Sequence, residues 1–117
     1  MKLSARHVRA AYALFRELPP YSRWKLPAHE KLSFGVNNAR KEFGHYEWDG
    51  KKHRRIEISR RNVKTFHALA VVMAHEMIHV WQEQAGTYND RAQHNRAFHR
   101  AAKHVCKVLG FDSAGFV

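Results

Sequence analysis

Apolar residues recur at helical spacing in three stretches of the chain. Residues 4–18 carry one apolar face, begin at Ser4, which suits a helix N-cap, and stop at a Pro-Pro pair. Residues 65–85 are apolar on almost every side and end at Gly86, a pattern typical of a helix buried in a core. A third helix is predicted to begin with Asp90 as its N-cap. Its apolar stripe consists of Phe98, Ala101, Ala102, Val105 and Leu109.

Between the first two helices, apolar and polar residues alternate with the period of a strand. Residues 32–36 predict one half-buried strand. Residues 43–48 and 54–59 flank an Asp-Gly pair, which is the strongest short-range hairpin signal in the chain. The sequence therefore predicts three strands, two of them joined in a hairpin.

A two-residue loop at this Asp-Gly pair fixes the register of the predicted hairpin. Glu47 then lies opposite Lys52, and Phe43 lies opposite Ile56. An ion pair and an apolar pair then lie on one face of the hairpin, and this internal consistency favours the register.

The candidate chemistry lies in the second helical stretch, where residues 75–79 read His-Glu-Met-Ile-His. His75 and His79 are four residues apart, so they share one helical face about 6 Å apart and both imidazoles can reach one divalent cation, typically zinc. Glu76 is rotated by about 100° from His75 and does not ligate, but it can reach a water on the metal as a general base. The alternative is a histidine-rich helix whose imidazoles are hydrogen-bonded core residues.

A third ligand decides between these interpretations. The elongated form of the motif requires Gly at position 82 and His at position 85, where this chain has Gln82 and Ala85. No Glu occurs after the second helix, so a carboxylate of that type is excluded. His94 and His99 remain as nitrogen donors, and Asp90 remains as an oxygen donor if it is not used as a cap.

The formal net charge of +11 indicates a polyanionic partner, most simply nucleic acid. Basic residues are concentrated in a fourteen-residue stretch whose single acidic residue is Glu57. Such a stretch can bind phosphates without reading sequence, although excess basic residues also keep a small protein soluble. The candidate nucleic-acid-binding residues are Lys51, Lys52, Arg54, Arg55, Arg60, Arg61 and Lys64.

Length and composition bound the remaining possibilities. A chain of 117 residues is expected to form a single domain. The first residues contain no apolar run, so neither a signal peptide nor a membrane association is expected. Cys106 is the only cysteine, which excludes an internal disulfide and a cysteine-based metal cluster. We therefore expect an intracellular protein, cytoplasmic or associated with the nucleoid or nucleus.

The motif and its surroundings resemble the SprT-like zinc metallopeptidase family. The resemblance rests on residues 75–79, on His94 fifteen positions after the second histidine, on Phe98 behind it, and on the Ile-Glu-Ile-Ser strand at 56–59. It covers about residues 30–110. The chain departs from the family pattern at Asn95, where Gly is usual, and in having no Cys-rich zinc ribbon after the domain.

The resemblance implies a small zincin-like α+β domain. A three-stranded antiparallel sheet would pack on three helices, with the His-Glu-x-x-His motif on the central helix. It also implies that His75, His79 and His94 bind Zn²⁺ and that Glu76 is the catalytic base. Tyr88, Arg96 and His99 are candidates for stabilising a developing oxyanion.

The implied function is a zinc-dependent endopeptidase whose substrates are proteins associated with DNA or another nucleic acid. Its peptide substrate would lie extended along a sheet edge above the metal. The alternative is a nucleic-acid-binding module in which zinc is structural and no proteolysis occurs. A site with three protein ligands favours the enzyme, because structural zinc sites are closed by four.

Overall fold

The computed structural model describes residues 2–116 and shows an α+β domain. Within this range the α-helices are α1 (Ala5–Arg16), α2 (Phe66–Ala85) and α3 (Arg96–Leu109). The strands are β1 (Ser33–Asn37), β2 (Gly44–Trp48) and β3 (Arg54–Ser59). Short 3₁₀ turns occupy Tyr21–Arg23, His29–Lys31 and Ser113–Gly115.

The three strands form a mixed sheet in the order β1-β3-β2. β3 runs antiparallel to β2 and parallel to β1, so the prediction of an antiparallel sheet was wrong for β1. The central place goes to β3, whose Ile56 and Ile58 are fully buried. Local turn signals specify only the β2–β3 hairpin, whereas the partner of β1 is decided by burial of β3 between two neighbours.

The hairpin loop is longer than the predicted two residues. Trp48 pairs with Arg54 and Tyr46 pairs with Ile56, so the predicted register was wrong. The loop is held by Asp49, whose carboxylate accepts hydrogen bonds from the backbone N–H groups of the three residues at 51–53, at 2.8, 3.0 and 3.0 Å. These hydrogen bonds lower the pKa of the carboxyl group and stabilise a wider loop than the Asp-Gly pair alone predicts.

The corrected register determines which aromatic side chain enters the core. Tyr46 is 5% exposed and lies on the helix-covered face of the sheet, whereas Phe43 is 59% exposed just before β2. The opposite face of the sheet is polar, and there Glu57 contacts both Arg55 and His45. α1 and α2 therefore cover one face of the sheet, and α3 packs on α2.

α2 matches the sequence prediction closely because local signals define both of its ends. Thr65 caps the helix by accepting a hydrogen bond from the backbone N–H of Ala68, and Gly86 ends it in the left-handed conformation with φ of 78°. The helix crosses the core, and Tyr21 donates a hydrogen bond to the carbonyl of Ala74 at 2.6 Å. No helix within residues 2–116 has the length and apolar character needed to cross a membrane.

α3 begins later than predicted. Its N-cap is Asn95, whose side chain accepts a hydrogen bond from the backbone N–H of Phe98 at 3.1 Å, so the assignment of Asp90 as the cap was wrong. Asp90 is exposed in the preceding loop. His94 consequently lies in that loop, immediately before the cap, instead of in the first turn of the helix.

Gly44 brings β2 unusually close to α2. A Cβ at this position would lie 2.9 Å from a methyl group of Val72 and from one of Ile58, and 3.0 Å from the carbonyl oxygen of Glu57. Only glycine fits without displacing these neighbours. The close approach matters because the same stretch of α2 carries the histidine motif.

Candidate metal centre

Three imidazoles meet between α2 and the loop before α3. His75 and His79 project from α2, and His94 reaches them from the loop. Their ligand-capable nitrogen atoms all lie within 4.8 Å of one another, and Nε2 of His75 lies 3.2 Å from Nε2 of His94. Ligand nitrogens around a tetrahedral zinc ion are separated by about 3.3 Å, so the His75–His94 pair has this spacing and His79 lies within 4.8 Å of both.

Hydrogen bonds fix which nitrogen of His75 faces the cluster. Its Nδ1 lies 3.1 Å from the backbone carbonyl oxygen of Phe116. Because a carbonyl oxygen only accepts, Nδ1 carries the proton and Nε2 presents a lone pair. This is the form of imidazole that binds a metal ion.

Gln82, which is fully buried, fixes the tautomer of His79 in the same way. The Gln82 amide nitrogen donates to the carbonyl of Gln93 and to the side-chain oxygen of Asn95, each at 3.0 Å. Its other atom must therefore be the oxygen, and this oxygen lies 2.7 Å from Nδ1 of His79. Nδ1 is then the donor, and Nε2 of His79 also presents a lone pair.

Asn95 ties the loop that carries His94 to α2. Its side-chain oxygen accepts from the backbone of Phe98 and from Gln82, and its amide nitrogen donates to the carbonyl of Thr87 at 2.9 Å. Gln82 is hydrogen-bonded to residues 93 and 95, which flank His94 in the chain. These bonds hold the third histidine against the other two. Asn95 thus has a structural role, since it holds the loop that carries His94.

Phe98 forms the floor of the cluster. Its ring is fully buried, and its centroid lies 4.8 Å from those of His75 and His79 and 4.5 Å from that of His94. The rings of His79 and His94 are themselves stacked, with an interplanar angle of 6°. Packing against one aromatic ring restricts all three imidazoles to a narrow range of orientations.

Burial keeps the imidazoles neutral. It lowers the pKa of His75 to about 4, against a smaller upward effect of the hydrogen bond to Phe116. Burial also lowers the pKa of His79 to about 4, and it lowers the pKa of the more exposed His94. Neutral imidazole is the state that ligates a metal, so the donor set fits a divalent cation at neutral pH.

Glu76 lies beside the cluster and is not a member of it. Glu76 as a residue is 4% exposed, and its carboxylate makes no hydrogen bond to any residue in the described range 2–116. It lines a cavity of ≈410 Å³ together with His75 and His94. Burial raises the pKa of Glu76 to about 8, so this carboxyl group can both accept and release a proton near neutral pH.

Comparison with known proteins assigns the family. A model of the SprT-like family matches residues 11–114, which include every helix and strand from within α1 to the end of α3. The chain belongs to the SprT-like family. No curated protein and no solved structure matches it. The predicted family is thereby confirmed, and membership indicates a metallopeptidase-like domain with a possible three-histidine metal site.

The three candidate oxyanion stabilisers occupy different places in the SprT-like domain. Tyr88 is nearest the cluster, with its ring 6.2 Å from that of His79. Burial and then Asp90 raise its pKa to about 12, so its hydroxyl stays protonated. Arg96 and His99 are exposed on α3 and do not line the cavity described above. Their catalytic roles remain predictions.

The basic stretch at positions 51–64 of the SprT-like domain does not form one continuous surface. Arg54 pairs with Glu83, and Arg55 pairs with Glu57 on the polar face of the sheet at 2.7 Å. Lys51 and Lys52 lie in the hairpin loop, and Arg60, Arg61 and Lys64 are exposed beyond β3. Nucleic-acid binding by these residues remains a prediction.

Gln82 is the site residue that sequence reasoning missed. The chain pattern draws attention to it only as a mismatch to the elongated motif. A usable signal was present, since an amide three residues after a candidate ligand, within an apolar helix, requires buried hydrogen-bond partners. A metal-ligating histidine usually supplies such a partner through its second ring nitrogen.

Proposed function

We propose that this SprT-like protein is a zinc-dependent endopeptidase that cleaves proteins associated with DNA or another nucleic acid. One observation carries the catalytic part of the proposal. Three neutral imidazoles, two with their tautomers fixed by hydrogen bonds, converge beside the buried Glu76 carboxylate at one cavity. A site of three nitrogen donors and a non-ligating carboxylate is suited to metal-assisted hydrolysis.

His75, His79 and His94 would hold the zinc ion, which when bound acts as a Lewis acid toward a peptide carbonyl. Glu76 would accept a proton from the attacking water and deliver it to the departing amine. A cation close to this carboxylate favours its ionised form, which opposes the effect of burial on the pKa of Glu76. Phe98 and Gln82 keep the imidazoles oriented without taking part in proton transfer.

The cavity and the sheet edge support a peptide as the substrate. β2 pairs with β3 on one side, and within the described residues its other edge has no strand partner. The cavity beside it has an apolar wall that includes Val71, Val72, Phe43 and Phe116. An extended peptide can pair with β2 and insert an apolar side chain next to the scissile bond.

The association with nucleic acid is supported by charge. The net charge of +11 exceeds what solubility requires for a domain of this size. Electrostatic attraction would bring the protease to proteins that are themselves bound to nucleic acid, without a need to recognise their sequence.

Replacing the proposed base provides the test. Glu76→Gln should bind zinc as the wild type does, with cleavage of an unstructured DNA-bound protein reduced by at least about 100-fold. Glu17→Gln, at an exposed glutamate after α1, is the matched control and should cleave normally. Undiminished cleavage by Glu76→Gln would refute the assigned base. Zinc binding with no cleavage by the wild type would favour the alternative of a nucleic-acid-binding module with structural zinc.

A further inference from the structure

α3 carries a continuous stripe of positive charge on its outer side. Arg96, Arg100, Lys103 and Lys107 are all exposed. At about 100° per residue they fall within an arc of about 60°, and at about 1.5 Å per residue they extend over about 16 Å. We call these four residues the α3 basic stripe. It lies outside the basic stretch at positions 51–64 that stands out in the sequence.

No acidic side chain in the described range 2–116 pairs with the basic residues of the stripe. α3 contains no acidic residue, and the acidic residues that follow Glu83 in the chain are Asp90 and Asp112, neither of which pairs with the stripe. None of the four stripe residues makes an ion pair within the described range 2–116. In contrast, Arg54 and Arg55 are each paired with a glutamate.

The arrangement is unfavourable for the helix itself. Two pairs of like charges lie four residues apart on α3, namely Arg96 with Arg100 and Lys103 with Lys107. Such pairs destabilise a helix. Arg96 also places a positive charge in the first turn, where the helix dipole favours a negative one, and no acidic residue is present in that turn. An external polyanion would relieve both effects.

We propose that the α3 basic stripe binds the phosphate backbone of nucleic acid. The opposite face of α3 packs into the core, where Phe98, Ala101 and Val105 are buried. Val108 is the one large apolar side chain that this fully described helix exposes. The stripe therefore offers charge without an apolar face to insert, which fits a nucleic acid better than a lipid surface.

The position of the stripe gives it a consequence for cleavage, which rests on the proposed function. It begins two residues after His94, and Asn95 between them is bonded to Gln82 beside the metal cluster. Phe98, on the opposite face of α3, contacts the imidazoles, so nucleic acid held on the stripe would lie about one helix diameter, ~10 Å, from the metal cluster. Flexible segments of a protein bound to the same nucleic acid would then be at high local concentration near the cavity.

The test measures binding alone, in the zinc-loaded Glu76→Gln background, so that it does not depend on proteolysis. The test variant combines Arg100→Gln, Lys103→Gln and Lys107→Gln, and the control variant combines Lys2→Gln, Arg9→Gln and Lys31→Gln, which belong to neither basic surface. Each removes two lysines and one arginine from exposed positions. Glutamine has good helix propensity, so α3 should be retained. The probe is a fluorescent 20-base-pair duplex, titrated by anisotropy at several salt concentrations.

The slope of log affinity against log salt concentration is negative, and the α3 variant should make it less steep by about 3. Binding at low salt should weaken at least about tenfold. The control should change the slope by less than about 1. An equal loss in both variants, or a larger loss in the control, would overturn the proposal. So would tighter binding of the parent protein to polyglutamate or to phosphatidylserine vesicles than to the duplex.

A milder variant covers the possibility that the triple replacement unfolds α3. The double variant Arg100→Gln, Lys103→Gln should make the salt slope less steep by about 2. Its thermal unfolding midpoint and helical circular dichroism should be unchanged. An unchanged slope in this folded variant would also overturn the proposal. If the duplex binds as expected but no protein is cleaved, the stripe stands and the proposed function fails.

Discussion

Nδ1 of His79 donates a hydrogen bond to the side-chain oxygen of Gln82 at 2.7 Å, and this contact decides which nitrogen of the imidazole faces the candidate metal centre. The amide of Gln82 cannot turn over, because its nitrogen donates to the Gln93 carbonyl. One buried side chain thus orients the candidate ligand His79 on α2 and fastens the loop that carries His94.

Gln82→Ala should therefore weaken zinc binding by about 10- to 100-fold. Gln82→Glu keeps an oxygen acceptor for His79 but loses the donation to Gln93 and Asn95, so its zinc affinity should lie between those of Gln82→Ala and the wild type. The measurement is competition against a chelator, which needs no enzyme activity. The control is Gln84→Ala, at an exposed glutamine on the same helix. Wild-type affinity in Gln82→Ala would show that the contact does not position the ligand.

Removal of the metal should lower the stability of the protein. A ligand that binds only the folded state stabilises it by about 2.7 kcal/mol at a concentration 100-fold above its dissociation constant. Chelation should therefore reduce the unfolding midpoint of the wild type and leave that of His94→Ala nearly unchanged. His104→Ala, at an exposed histidine on α3, should respond to the chelator as the wild type does. An equal response of His94→Ala and His104→Ala would exclude His94 as a ligand.

The metal-free protein should lose stability as the pH rises from 7 through about 8, the folded-state pKa of Glu76. Burial raises the pKa of Glu76 in the folded state to about 8, from an ordinary value of 4.5. Between these values the folded state binds the extra proton, so unfolding becomes easier as the pH rises and the folded-state carboxyl must ionise. The expected loss between pH 7 and 8.5 is roughly 1 kcal/mol.

Urea unfolding at the two pH values, with a chelator present, measures this loss. Glu76→Gln removes the titrating group and should show a correspondingly smaller dependence on pH. If both proteins respond identically, the carboxyl group is not held protonated by burial.

A side chain at position 44 should destabilise the domain. Gly44→Ala would place a methyl group 2.9 Å from side-chain atoms of Val72 and Ile58, and overpacking of this kind costs about 1–3 kcal/mol. Val72→Ala opens space on α2 and should recover part of the loss in the double variant. Purely additive effects in denaturant unfolding would indicate that β2 and α2 are not in this close contact.

The sequence predicts the parts of the fold that local chemistry specifies. Both ends of α2 follow from Thr65 and Gly86, whose capping geometry depends on neighbours a few residues away. The parallel pairing of β1 with β3 was not predictable in this way, because it joins strands that no turn connects. The hairpin register failed for a related reason, since Asp49 binds three backbone N–H groups and widens the loop.

In the candidate site, too, the sequence predicts what local spacing specifies and misses what tertiary contacts determine. The spacing of His75 and His79 on one helix predicts their convergence, but spacing alone left the third donor open among several residues. The structure brings His94 to the cluster through Asn95, which is also the cap that displaces the predicted start of α3. That cap is held by Gln82 from another helix, and such a tertiary contact leaves no periodic trace in the sequence.

The central claim is that His75, His79 and His94 bind one zinc ion, and the most direct measurement is anomalous X-ray scattering at the zinc edge from crystals of the zinc-loaded protein. We predict one strong peak about 2.0–2.1 Å from a nitrogen of each imidazole, with the Glu76 carboxylate outside the inner coordination sphere. Absence of a peak between these residues, or a zinc ion bound without His94, would contradict the account.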